Sequence, residues 1–190
     1  MSKYFIANFV FFQCLWFSCV LGAGAYQWHW LAIGAVVPIT VLTWFSPHRN
    51  TDFLITLIAV CIGLIIDNLW VATGILEYPH NTWAPYWIGI LWYGLGLTIN
   101  HSMAFFRDHQ PWGSIIVGAA APITYLTAQK FGSVAITSTL QMAFISLSWM
   151  VLFYGLSRFS LLLINTQMHE NQSQSRRAAA VPTASKGPLS

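Results

Sequence analysis

The sequence predicts an all-α fold, a polytopic membrane bundle of about six transmembrane helices. Of its 190 residues, 56% are hydrophobic and only 7% are charged, whereas soluble globular domains contain roughly 25% charged residues. Six apolar stretches almost fill residues 1–164, and most approach or exceed the roughly 20 residues that a spanning helix needs. Because such a chain cannot cover a water-facing surface, we expect one membrane-embedded domain over residues 1–164.

Short connectors with Gly, Pro, Asn, His or charged residues separate the predicted spans. The third span has the clearest start, because Asn50 and Thr51 can cap a helix and Asp52 favours its positive end. The sixth is longer than a span requires, so its last turns should leave the bilayer. Residues 165–190, rich in Gln, Ser, Ala and Pro, predict a disordered cytoplasmic tail. The predicted spans are 4–23, 28–45, 53–75, 84–105, 112–129 and 134–163.

Lysine and arginine are divided unevenly between the two sides of the predicted bundle. With the N-terminus in the cytoplasm, only Lys130 of the eight basic residues lies on the opposite side. The distribution therefore predicts that both termini are cytoplasmic. A secretory signal is the alternative for the first segment, because Lys3 precedes an apolar run and residues 23–25 resemble a cleavage site. That run is longer than a signal core, and it contains Asn8 and Gln13.

The second and fifth segments share a pattern. Residues 34–43 (GAVVPITVLT) and 118–127 (GAAAPITYLT) are identical at seven of ten positions. A repeated unit of three spans would insert in opposite directions, an architecture common among transporters. Pro38 and Pro122 occupy matching positions and each removes a helical hydrogen bond, so both are predicted helix breaks, in helices that pack near each other. Coincidence is the alternative, because the other segments show no matching counterpart.

Asp67 is the one acidic residue well inside a predicted span. A charge there costs roughly 3 kcal/mol or more against lipid, so Asp67 should face the interior, near Asn68, Trp92 or Gln141. It is the first candidate for ligand binding, and Asn68, Trp92 and Gln141 are further candidates. A structural Asp that hydrogen-bonds between helices is the alternative for Asp67. Glu77, at the outer membrane edge, is a candidate for an external site or part of a solvated loop.

A second polar layer is predicted in the inner half of the membrane, with Gln13, Asn100 and His101 as further ligand-binding candidates. Imidazole titrates near neutral pH, so His101 could transfer protons or bind a ligand. A hydrogen-bonded histidine close to the interface is the alternative. Trp92, Gly96 and Asn100 recur every four residues, which predicts one stripe on the fourth helix.

Other kinds of site lack a signal. The net charge of +3 is small and its basic residues are dispersed, so no nucleic-acid partner is predicted. The three cysteines lie in apolar stretches without metal-ligand spacing, and neither a metal nor a cofactor is predicted. No nucleophile elbow, phosphate loop or dinucleotide fingerprint occurs. The predicted partners are membrane lipids, a small hydrophobic ligand or another membrane protein.

Four short motifs, rich in aromatic residues, lie in the middle of the chain: Asp67-Asn68-Leu69-Trp70, Pro85-Tyr86-Trp87, Leu91-Trp92-Tyr93 and Thr98-Ile99-Asn100-His101-Ser102. Together they resemble the DUF2878 family of bacterial integral membrane proteins. The resemblance covers residues 1–160 and implies a location in the bacterial inner membrane. The family has no established activity, so the resemblance implies no catalytic residues.

Three functions remain open from the sequence. Binding or transport of a small molecule or lipid is preferred, because of the repeat and its two prolines. A membrane-embedded enzyme acting on a lipid or other hydrophobic substrate would use Asp67, Asn100 and His101. An accessory subunit of a membrane complex would use the faces rich in small residues for helix association.

Overall fold

All six predicted segments form helices in the computed structural model, which describes residues 3–79 and 81–180. This part of the chain contains seven α-helices, a π-helical segment that continues α1, and no β-strand. The helices are α1 (Lys3–Phe17) with the π segment (Ser18–Ala25), α2 (His29–Trp44), α3 (Arg49–Ala72), α4 (Tyr86–Gly96), α5 (Ala104–Asp108), α6 (Trp112–Lys130) and α7 (Thr139–Ala180).

Within the described residues, three helical stretches are long and apolar enough to cross a membrane: Lys3–Ala25, Arg49–Ala72 and Thr139–Glu170. Large apolar side chains cover the outside of the bundle, such as Val151, which is 73% exposed, and Ile65, which is 61% exposed. Water would disfavour an apolar surface of this extent, whereas lipid tolerates it. The chain is therefore a membrane protein.

The predicted fourth span, 84–105, is not one continuous helix. α4 ends at Gly96, tight turns follow through Met103, and α5 then begins at Ala104. The Thr98 hydroxyl donates to the carbonyl of Leu95 at 2.6 Å, a local bond that competes with the helical pattern. Asn100 lies within these turns, so the predicted stripe of Trp92, Gly96 and Asn100 does not form.

The ends of two helices also differ from the prediction. α3 begins at Arg49 rather than after Thr51, and no side-chain cap bond precedes it. α7 continues through residues 165–180, where the sequence predicts a disordered tail. Most residues in that stretch are good helix formers, so the apolar helix extends without a break signal. The rest of the predicted tail, 181–190, lies outside the described residues.

Pro38 and Pro122 lie inside α2 and α6, and the residues on both sides of each proline remain helical. α2 packs on α1, α3, α4 and the π segment, whereas α6 packs on α5 and α7. The described residues thus show no substantial contact between α2 and α6, which the repeat hypothesis placed side by side. Their packing gives the inverted repeat no support.

Contacts between helix ends define two ends of the bundle. At one end, the Tyr4 hydroxyl donates to the carbonyl of Leu42 at 3.0 Å, which joins the start of α1 to the end of α2. At the other, Ser133 Oγ donates to the carbonyl of Val20 at 2.5 Å, and Gln141 Nε2 donates to that of Gly74 at 2.7 Å. The first we call the Tyr4 end and the second the Gly74 end.

Candidate functional site

Asp67 lies on the buried face of α3, 2% exposed, and points into the bundle as expected. Its carboxylate accepts two hydrogen bonds, from the Tyr78 hydroxyl to Oδ1 at 2.5 Å and from Trp92 Nε1 to Oδ2 at 2.6 Å. Gly63 lies one turn earlier on the same face, and a Cβ there would overlap the Trp92 ring. The missing side chain at Gly63 therefore lets Trp92 reach Asp67.

Aromatic rings surround this carboxylate. Trp92 stacks on Trp149 with ring centroids 5.0 Å apart and planes 7° apart. Trp149 Nε1 donates to the Tyr125 hydroxyl at 3.3 Å. Tyr78 packs edge-on against Trp87 at 5.6 Å. We call these five rings together with Asp67 the Asp67 cluster; it joins α3, α4, α6 and α7.

Tyr78, in the loop after α3, fixes the direction of its hydrogen bond. Burial raises the pKa of the Tyr78 phenol well above its ordinary value, and the nearby Asp67 charge raises it further. The phenol thus stays protonated and serves as a donor. Sequence analysis did not single out Tyr78, although a tyrosine eleven residues after a membrane Asp is a donor of the right type.

The Asp67 cluster forms one wall of a cavity of about 500 Å³. Its lining is mainly apolar and aromatic, with Asp67 and Gln13 among its few polar side chains. Helices α1, α4 and α6, the π segment and Trp149 of α7 supply most of the wall. Besides the cluster, the lining includes Phe12, Gln13, Trp16, Phe17, Val20, Leu91, Leu95, Ile116, Val117, Ala120, Ala121, Ile123 and Thr124.

The cavity is partly open. Both α1 and α6 line it, and the described residues show no substantial contact between these two helices. Apolar lining residues on both helices are also exposed at the outer surface: Phe17 is 48% exposed, Ile116 49% and Ile123 69%. An opening bordered by exposed apolar side chains is suited to lipid rather than to water.

A second polar cluster lies near the Tyr4 end, centred on Asp52, which is 1% exposed. Asp52 Oδ1 accepts from Asn100 Nδ2 at 2.8 Å, and Oδ2 accepts from Ser46 Oγ at 3.0 Å. His101 Nε2 lies 2.9 Å from Oδ2. Sequence analysis assigned Asp52 only a favourable place at a helix start and missed this role; the residue joins α3 to the turns after α4.

The side-chain amide of Asn100 connects the turns after α4 to α7. Asn100 Oδ1 accepts from Arg107 at 2.6 Å and from Ser160 Oγ. Arg107 also pairs with Asp108 at 2.8 Å. Asn100 and His101 thus belong to a hydrogen-bonded helix junction, and neither lines the cavity.

Asn8 of α1 compensates for the backbone groups that the break leaves free. Its Nδ2 donates to the carbonyl of Leu97 at 3.1 Å, and its Oδ1 accepts from the Ser102 hydroxyl at 2.6 Å and from the Ser102 amide at 3.3 Å. Asn8 is fully buried. Irregular backbone at membrane depth requires such partners.

The structure places three other candidates away from the cavity. Gln141 lies in the first turn of α7. Its Oε1 accepts from the Ser138 backbone amide at 2.9 Å, and Ser138 Oγ accepts from the Gln141 backbone amide, an arrangement known as a capping box. Asn68 Oδ1 accepts from the Ala84 amide at 3.1 Å and so holds the loop between α3 and α4. Glu77 pairs through its backbone with Ala135. Of the sequence candidates, Asp67, Trp92 and Gln13 line the cavity.

The family assignment covers both clusters. The sequence model of a family described as a protein of unknown function, DUF2878, matches residues 5–154. The chain belongs to the DUF2878 family. The matched residues run from α1 into α7 and include Asp52, Asp67 and Trp92, which confirms the resemblance seen in the sequence. No curated protein and no solved structure matches the chain significantly.

Groups suited to metal binding are not assembled in the part of the chain that the structure describes, where no three His, Cys, Asp or Glu side chains converge. Asp67 is surrounded by aromatic rings, and Asp52 by one histidine, an amide and a hydroxyl. The Asp67 cluster can accept hydrogen bonds from a ligand and attract positive charge, while most of the remaining cavity wall offers only apolar contact.

Proposed function

We propose that this protein binds a lipid or another small, mainly apolar molecule in the cavity beside Asp67. One observation carries the proposal: a mainly apolar cavity of about 500 Å³ has lining side chains that are also exposed on the apolar outer surface, and a buried carboxylate, Asp67, lies in its wall. Ligand pockets in proteins have this combination of apolar walls and a few polar groups that orient the ligand.

The size of the cavity supports an occupant. A volume of about 500 Å³ lies within the range of small-molecule sites, about 300–1,000 Å³. Apolar side chains that line the cavity are also exposed on the outer surface, so the bilayer is a direct source of an apolar occupant.

The proposal includes six spans in a bacterial inner membrane with both termini cytoplasmic. α4, the turns after it and α5 would together form the fourth span. The Tyr4 end holds Lys3, Arg49, Arg107 and Arg158, whereas Lys130 lies at the Gly74 end. Because cytoplasmic loops carry the excess of positive charge, this distribution supports placing the Tyr4 end inside.

Binding is better supported than the two other functions. Asp52, Asn100 and His101 do converge within hydrogen-bond distance, as a membrane-embedded enzyme would require. However, none of the three lines the cavity, so they have no cleft for a lipid substrate. An accessory subunit would need no such cavity. Transport depends on the inverted repeat, which packing does not support.

The test introduces a large side chain into the cavity from α6. Ala120 lines it, whereas Ala119 beside it does not, and both are exposed, so a Phe at either position should leave the buried core intact. We expect Ala120→Phe to weaken binding of octanol at least about tenfold and to reduce the molecules that co-purify, detected by native mass spectrometry. Ala119→Phe should behave like the wild type. Equal binding by all three proteins would refute the proposal.

A further inference from the structure

We infer that the ligand carries a positively charged nitrogen that binds beside Asp67, with its apolar part extending along the cavity. The inference rests on the proposed function and adds the chemical class of the ligand: an amphiphilic amine or ammonium compound. Three observations lead to it, which concern the charge of Asp67, the aromatic walls and the rest of the lining.

The first observation is a buried carboxylate without a countercharge. Both hydrogen-bond donors to Asp67, Tyr78 and Trp92, are neutral. Among the described residues, ion pairs join only His101 to Asp52 and Arg107 to Asp108, so no protein cation neutralises Asp67. An unpaired charge at this depth is costly, and intramembrane carboxylates ordinarily pair with a cation or become protonated.

The hydrogen bonds favour the ionised form over the protonated one. An indole Nε1 can only donate, so Trp92 requires Oδ2 to act as an acceptor. The Tyr78 phenol donates to Oδ1. With one donor on each oxygen, the arrangement stabilises a carboxylate. Its remaining lone pairs are available to a ligand, because Asp67 itself belongs to the cavity lining.

The second observation is the concentration of aromatic rings at this end of the cavity. Tyr78, Trp87, Trp92, Tyr125 and Trp149 all line it. Aromatic rings attract cations through the negative electrostatic potential at their faces. The attraction is strongest for tryptophan and where water is excluded. A neutral apolar ligand would gain nothing from a carboxylate there, and an anionic ligand would be repelled by it.

The third observation concerns the remaining walls. Phe12, Leu95, Val117 and Ala121 line the cavity beyond the cluster and offer a ligand only apolar contact. A chain or ring system therefore suits this part, while the nitrogen lies beside Asp67. The net charge of the chain is +3. This overall positive charge would repel a cation, so selective binding of a cation must come from the contacts within the cavity.

The experiment compares three probes with one alkyl chain and different head groups: octylammonium, octanol and octanoate. Binding is measured at pH 7 by titration calorimetry in a neutral detergent, with wild type, Asp67→Asn and Glu77→Gln. Asp67→Asn keeps the size of the side chain and its acceptor oxygen but removes the charge. Glu77→Gln removes the same charge from the Gly74 end of the bundle, at an exposed site outside the cavity lining.

We expect the wild type and Glu77→Gln to bind octylammonium at least about tenfold more tightly than octanol, and octanoate most weakly. Asp67→Asn should lose this preference and keep its affinity for octanol within about threefold. If the wild type binds octanol and octylammonium equally, the inference of a positively charged ligand is refuted while the proposed function stands. If it binds neither octanol nor octylammonium, both fail. The wild-type comparison decides the question even where a variant does not fold.

A further measurement separates two sources of the nitrogen, a lipid headgroup and a free amine. The octylammonium titration is repeated in nanodiscs with and without phosphatidylethanolamine. Competition by phosphatidylethanolamine identifies the lipid as the source, and unchanged affinity points to a free amine. If octylammonium binding in nanodiscs does not depend on Asp67, the inference is overturned.

Discussion

Replacing Asn8 by leucine tests the role of this residue in holding the break between α4 and α5. Leucine has the same number and branching of side-chain heavy atoms as asparagine but neither donates nor accepts hydrogen bonds. The carbonyl of Leu97 and both the amide and the hydroxyl of Ser102 therefore lose their partner. All three groups are in buried residues, so water cannot replace the amide.

The structure gives the size of the effect. The Ser102 hydroxyl can rotate toward a carbonyl of its own turn, so two backbone groups remain without a partner. Hydrogen bonds between membrane helices contribute about 0.6–2 kcal/mol each, and an unsatisfied buried group costs about 1–3 kcal/mol. We expect Asn8→Leu to lower the free energy of unfolding by about 2–4 kcal/mol. At about 2–4 °C per kcal/mol, Tm should fall by about 4–16 °C.

The assay is thermal unfolding in neutral detergent, followed by circular dichroism, with Gln13→Leu as the matched control. Gln13 lies on the same helix and carries the same functional group, but the described residues provide it no hydrogen bond. Gln13→Leu should therefore change Tm by less than about 2 °C. An equal fall for both variants, or none for Asn8→Leu, would show that the break does not depend on this amide.

The other predictions concern helix packing and topology. Gly63→Ala should displace the Trp92 ring and destabilise the protein by about 1–3 kcal/mol, whereas Gly155→Ala, where a Cβ meets nothing within 4 Å, should be neutral or stabilising by thermal unfolding. If Gly155→Ala lowered the stability more than Gly63→Ala, this result would contradict the packing of α3 on α4. A phosphatase fused after Asn81 should be active and one fused after Arg107 inactive; the reverse pattern would refute the proposed orientation.

The sequence correctly predicted one contact between polar side chains of different helices. Counting residues along each helix put Asp67 and Trp92 at one depth, and their side chains are in contact. Depth counting works because the helical rise is constant. It failed for Gln141, which the same count placed near Asp67. The predicted segment begins at residue 134, but α7 begins only at Thr139, so Gln141 lies in its first turn at the Gly74 end.

The break after Gly96 shows a second limit of local reasoning. Hydropathy is continuous across residues 84–105, so the sequence indicates one apolar segment. The turns persist because Asn8, which is 94 residues from Ser102, supplies the hydrogen bonds that the helix would have made internally. Neither propensity nor periodicity contains information on such a partner.

What the sequence by itself determined is the environment: few charges and long apolar segments allow only a helical membrane protein, since every backbone group must be satisfied within its own segment. Tertiary structure alone decided the chemistry. Asp52 meets His101 across 49 residues, and Asp67 meets Trp92 across 25. The cavity is lined by both α1 and α6, which show no substantial contact with each other among the described residues. The physical reason is that burial follows from composition, whereas contact between distant side chains follows from how helices pack.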